Sequence, residues 1–185
     1  MKILGKRLID KDFREIFTSH FISITGGIIA GTFLLGVVNK LEMLPGLFIL
    51  LPSFLEMHGN IFGSLAARLG TLLHTKHIKP KLRHNKLLST NIWASVWLTL
   101  IVSLFLGTIA YLISFFVFGE NNPILILIAI IAAIIALVIE LPITVITTFW
   151  FFKHGYDPDD VMGPYITTMG DIISMVSLFI VVAVI

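Results

Sequence analysis

The chain has 185 residues, 57% of them hydrophobic, with a mean hydropathy of +0.99 and a formal net charge of +2. That composition excludes an ordinary soluble domain, and at roughly 20–30 residues per span the length holds about five membrane helices with no separate soluble domain. The lack of cysteine excludes a disulfide framework and a thiolate metal site. Continuous apolar runs, rather than short alternating ones, exclude an outer-membrane barrel.

Residues 1–19 carry Lys2, Lys6, Arg7, Lys11 and Arg14 among three acids, interleaved with Leu4, Leu8, Phe13, Ile16 and Phe17. They are expected to form an amphipathic cytosolic or interfacial segment, with a plain solvated lead-in as the competing reading. Residues 20–185 are expected to form a single membrane domain. Its first span is predicted over about 21–38, where Gly26, Gly27, Ala30, Gly31 and Gly36 permit close helix packing. The charged section is long for a secretory signal and no A-x-A-like site follows, so this helix is read as retained.

The second span is predicted over about 45–73. Within it Glu56, Asn60, Ser64 and Arg68 recur every four residues and form one polar stripe down an apolar helix. A stripe of that kind faces water or a partner, not lipid. Asn60 is read as lining a pore, with Gly59 and Gly63 leaving the backbone beside it accessible. For Arg68 a hydrogen-bonded seam between helices is preferred. His58 points away from the stripe and is read as a packing or interfacial histidine rather than a ligand.

The segment 74–86 holds Lys76, Lys79, Lys81, Arg83 and Lys86 and no acid, which marks a cytosolic loop suited to lipid headgroups. Its histidines, His74, His77 and His84, have no carboxylate to support a metal site. A third span is predicted over about 91–118, anchored by Trp93 and Trp97, and a fourth over about 124–152. Pro142 interrupts the fourth span just after Glu140. Glu140 is read either as lining a vestibule or as bonding a backbone group freed by that proline. Ten of the thirteen Lys and Arg residues fall in the first segment and the 74–86 loop, so the N-terminus is expected in the cytosol and the C-terminus outside.

The fifth span, about 163–185, follows DPDDVMGPYITTMGD. Asp157, Asp159 and Asp160 precede it, and Asp171 stands alone inside it, where an ionisable side chain is costly and marks a pathway. Pro164 and Thr168 share its helical face. That face offers oxygen without sulfur or imidazole, the donor set of a hard cation such as Mg²⁺ or Ca²⁺. Asp171 and Asn60 are expected at comparable depths, about 12 and 20 Å from the cytosolic ends of their helices.

The two polar stretches, PGLFILLPSFLEMHGN-x3-S-x-AARL and DPDDVMGPYITTMGD, resemble the membrane domain of MgtE-type magnesium channels, nearer the form of their animal solute-carrier relatives. The second carries a DP-D-D/N-x4-P-Y-x-T-x3-D pattern, the more specific of the two. At His58–Gly63 the chain departs from the Gly-Gly-Asn-Ala-Gly of bacterial members. The resemblance implies an all-α integral membrane protein with five helices per chain and a two-fold homodimer around a central ion path. It implies Asp171 as the principal selectivity residue, Gly59 and Asn60 beside it, and Thr167 and Thr168 with them. Glu56, Ser64, Glu140, Asp157 and Asp160 complete the pore and vestibule candidates.

The soluble magnesium-sensing domains of that family have no counterpart here, so gating is expected to be lacking, supplied by a separate soluble chain, or taken over by the loops. The expected function is therefore a divalent-cation channel or transporter in the cell membrane, with Mg²⁺ as the transported ion and no organic cofactor. The alternative is a membrane assembly subunit whose polar stripes serve packing alone. No enzymatic motif of the H-E-x-x-H or nucleophile–base kind occurs, and no nucleic-acid partner is expected.

Overall fold

The computed structural model describes the backbone of residues 2–82 and 85–185, and the side chains of residues 13–14, 16–36, 38, 44–82 and 85–185. Five helices follow one another: α1 (Lys2–Met43), α2 (Gly46–His74), α3 (Lys86–Phe118), α4 (Ile124–Lys153) and α5 (Pro158–Val184). Four of them contain stretches long and apolar enough to cross a membrane: Ile16–Gly36 of α1, and α3, α4 and α5. The second helix falls short in composition, because Glu56, Arg68 and the polar stripe dilute it. Its 29 residues nonetheless extend about 43 Å.

Three boundaries differ from expectation. Helix α1 runs unbroken through position 19, so the backbone has no joint between an N-terminal segment and a first span. The amphipathic face expected over residues 1–19 rests largely on Leu4, Leu8 and their lysines, whose side chains lie outside the described residues. Phe13 and Phe17 are exposed and stacked at 6.1 Å. Helix α5 starts at Pro158, five residues earlier than expected, because Asp157 caps it. The Asp157 carboxylate accepts the Asp159 N–H at 3.0 Å, and Pro158 occupies the first helical position, where its missing N–H costs nothing. Asn85 likewise caps α3 by accepting from Leu87 N–H at 2.8 Å, so α3 also begins ahead of the predicted 91.

Helix α5 is the centre of the packing, in contact with α1, α2 and α4, while α3 packs on α2 and α4. Small residues set the close crossings. On α1 the buried residues Ser19, Gly26 and Ala30 follow helical spacing and face α5. A Cβ at Gly26 would overlap the Thr168 methyl. On α3 the buried row Ser95, Thr99, Ser103, Gly107, Ala110 and Ser114 brings the helix against α4. Gly119, at φ 72°, ends α3 in the left-handed conformation that favours glycine.

Two apolar clusters fill the interior. One joins Leu50, Phe54, Ile128, Ala132 and Leu178 at the end carrying the 119–123 turn. The other joins Phe62, Leu65, Leu69, Val145, Phe149 and Ile166 at the end carrying the basic loop. Between them lies a layer that neither cluster contains, holding His58, Glu140 and Gly170.

Candidate functional site

The site begins where α5 crosses α2. A Cβ added at Gly170 would lie 3.7 Å from the Gly59 backbone N, so the two helices meet there at glycine on both sides. This crossing levels the flanking residues. Asp171 lies thirteen residues from the start of α5 and Asn60 fourteen from the end of α2, about 20 and 21 Å along their axes. The depth expected for Asp171 was too shallow because the Asp157 cap lengthens the helix.

From the crossing toward the basic end, α2 and α5 line an open groove of about 390 Å³. Its α2 wall is Gly59, Asn60, Gly63, Ser64, Ala67 and Thr71. Its α5 wall is Pro158, Asp159, Met162, Gly163 and Thr167. The groove therefore contains amide and hydroxyl oxygens with one carboxylate, Asp159, at its mouth. Asp171 stands one helical turn beyond Thr167, past the inner end of the groove, and is half-buried.

The expected residues divide into those on this surface and those elsewhere. Asn60 is exposed, and its Nδ2 donates to Glu56 Oε1 at 3.2 Å, so the two act as one polar unit. Ser64 is exposed in the groove, while its carbonyl accepts from Arg68 Nε at 3.1 Å. Thr167 is exposed, and its Oγ1 is 3.7 Å from the position of a Gly59 Cβ. Thr168 is placed differently from expectation. It is buried, and its hydroxyl sits 2.7 Å from Ser23 Oγ of α1 and 2.8 Å from the Pro164 carbonyl. Docking of α1 onto α5 turns it from the groove into a helix contact.

Asp157 is likewise committed to structure. Besides capping α5 it accepts from His74 Nε2 at 3.2 Å, which ties the end of α2 to the start of α5. Asp160 sits in the first turn of α5 with its N–H on the Asp157 carbonyl at 3.2 Å. The groove carboxylate is instead Asp159, whose Oδ1 would be 2.9 Å from a Cβ at Gly70. The acidic run was visible in the sequence, but which of its members faces α2 depends on the Gly70 contact, for which no local signal exists.

Glu140 is 3% exposed, and neither carboxylate oxygen has a hydrogen-bond partner. It is not among the residues lining the α2–α5 groove, and among the described residues its carboxylate bonds no backbone group. Its Oε1 is 3.3 Å from the position of a Gly170 Cβ. Asp171 lies within electrostatic reach of both Glu140 and Glu56. His58 packs as expected: it is fully buried, donates from Nδ1 to the Phe54 carbonyl at 3.0 Å, and stands between the Phe54 and Phe62 rings. Arg68 reaches Ser95 Oγ at 3.4 Å, the seam expected of it. His77 bonds Thr75 Oγ1 at 2.7 Å, and His84 lies outside the described residues.

Among the described residues, no group of three or more His, Asp or Glu side chains is placed to hold a metal ion directly. One protomer thus offers single carboxylates and neutral oxygens along a groove, suited to an ion that keeps its water, and no chelating cage. Residues 51–181 match the model of the MgtE family, described as a divalent cation transporter, which spans both walls of the groove. No curated protein matches the chain.

Proposed function

The chain belongs to the MgtE family of divalent cation transporters, and from that premise we propose that it carries Mg²⁺ across the cell membrane as a homodimer. The observation that carries this reading is the glycine crossing of α2 and α5, which sets Asp171 and the Asn60–Glu56 pair at one depth above an open, oxygen-lined groove. Two copies related by a two-fold axis, with these faces opposed, bring two Asp171 carboxylates to one ion path.

Mg²⁺ sheds water reluctantly and is held by one or two carboxylates with its waters kept. The paired Asp171 groups supply the compensating charge. Asn60 and the Thr167 hydroxyl then hydrogen-bond the waters of the ion, and Asp159 attracts cations at the groove mouth. Gly63 and Gly27, beside which an added Cβ would meet nothing within 4 Å, leave room for the partner helix to approach.

The test is the molecular mass of the purified chain in detergent or lipid, measured together with its transport. A dimer is expected; a monodisperse monomer with full transport activity would contradict the paired site.

The orientation follows from the charges, with the basic loop in the cytosol and the 119–123 turn outside. Single cysteines at Lys81 and Asn121, introduced into this cysteine-free chain, should react with impermeant maleimide from opposite sides of the membrane. Lys81 should be reached only from the cytosol, and labelling of both from one side would overturn the arrangement.

A further inference from the structure

Six buried side-chain atoms among the described residues have no hydrogen-bond partner, and two of them are the carboxylate oxygens of Glu140. An uncompensated carboxylate in a membrane interior is among the costliest groups a fold can hold. Among the described residues no side chain hydrogen-bonds it. On its own helix the Thr144 hydroxyl, one turn away, bonds the Glu140 backbone carbonyl at 2.8 Å instead of its side chain. On α3, which packs against α4, the buried hydroxyls of Thr99 and Ser103 bond their own helix.

The titratable groups facing this layer are His58 and Glu56 on α2 and Asp171 on α5. His58 commits Nδ1 to Phe54 and leaves Nε2 without a partner. The one arginine of α2 is turned away to Ser64 and Ser95. No Lys or Arg side chain among the described residues forms an ion pair with Glu140. The carboxylate does have an aim. Its Oε1 abuts Gly170, where any side chain would crowd it at 3.3 Å, and the next residue on α5 is Asp171.

We propose that Glu140 is a second carboxylate of the cation path, a specificity-determining residue that acts across Gly170 from inside each protomer and biases the Asp171 site toward divalent ions. This rests on the reading of Asp171 given above. The charge that compensates Glu140 is then the transported ion itself. Coulomb energy scales with the charge of the ion, so once a cation has displaced the proton from this buried carboxyl, the carboxylate favours a divalent cation twice as strongly as a monovalent one at the same place. Glycine at 170 keeps the low-polarity gap between the two carboxylates thin. The glutamate touches the ion through its field alone, which leaves the hydration shell intact.

The experiment compares the wild-type chain with Glu140→Gln, Glu140→Asp and Asp171→Asn in vesicles, measuring the half-saturating Mg²⁺ concentration and the K⁺ leak. Glu140→Gln is expected to raise the half-saturating Mg²⁺ concentration about tenfold or more while K⁺ leak changes far less, lowering the divalent-to-monovalent ratio. Glu140→Asp keeps the charge and should stay close to wild type. A Gln variant with wild-type affinity and ratio, beside an inactive Asp171→Asn, overturns this inference and leaves the Asp171 path standing. An Asp variant as impaired as the Gln variant also overturns it, since shape and not charge is then what matters. Normal uptake by Asp171→Asn removes both readings together. Should the Gln variant fail to fold, Glu140→Met, similar in volume and uncharged, takes its place: a lowered divalent-to-monovalent ratio supports the field, and a wild-type ratio contradicts it.

Discussion

Asp171→Asn is expected to lower divalent uptake by about a hundredfold while leaving the chain folded and its assembly intact, because the proposed dimer would lose one charge from each protomer. Asparagine keeps the size and an acceptor oxygen, so only the charge that compensates Mg²⁺ for leaving bulk water is removed. Folding survives, since a half-buried carboxylate with no ion-pair partner among the described residues contributes little to stability. Asp171→Glu is expected to be intermediate: the charge remains, but the longer stem intrudes on a path sized for a hydrated ion. If the polar stripes serve packing alone, the order reverses, with Asn mild because it can bond across helices and Glu disruptive. Uptake of Mg²⁺ into vesicles, read beside the elution profile of each variant, separates the two.

The second large effect lies far from the groove. A Cβ at Gly107 would stand 2.9 Å from Ala129 Cβ and 2.9 Å from Ile126 Cα. The second of these contacts is backbone, so no rotamer change relieves it and α3 must move off α4. Gly107→Val is therefore expected to destabilise the fold by about 3 kcal/mol or more, at the upper end of overpacking costs. Its melting temperature in detergent should fall well below that of Gly31→Ala, where an added Cβ meets nothing within 4 Å. Equal melting temperatures would mean that α3 and α4 do not cross at Gly107.

The helices themselves were legible because apolar runs of this length have few alternatives. Their ends were less so. The Asp-Pro pair at 157–158 is a start signal for a helix, yet hydropathy alone places the start of α5 near Gly163, where the charged residues stop. The level match of Asp171 with Asn60 could be approached by counting residues, and its error came from that boundary. Thr167 and Thr168 could not be told apart, since both fall within about a third of a helical turn of one face. The Gly26 contact on α1, 142 positions away in the chain, decides which of them faces the groove. The same holds for Asp159 against Gly70 and for Glu140 against Gly170. A polar residue in an apolar run is conspicuous, but its partner is chosen by helix crossings that small residues permit and no local pattern encodes.

Whether this chain by itself moves divalent cations is tested by Mg²⁺ influx into sealed vesicles containing the purified chain and no other protein, followed by an internal indicator as external Mg²⁺ is raised. Saturable influx far above that of empty vesicles is expected, carried by a dimer and lost in Asp171→Asn. Influx no greater than in empty vesicles, from a chain that is folded, dimeric and inserted in the orientation given above, would contradict it.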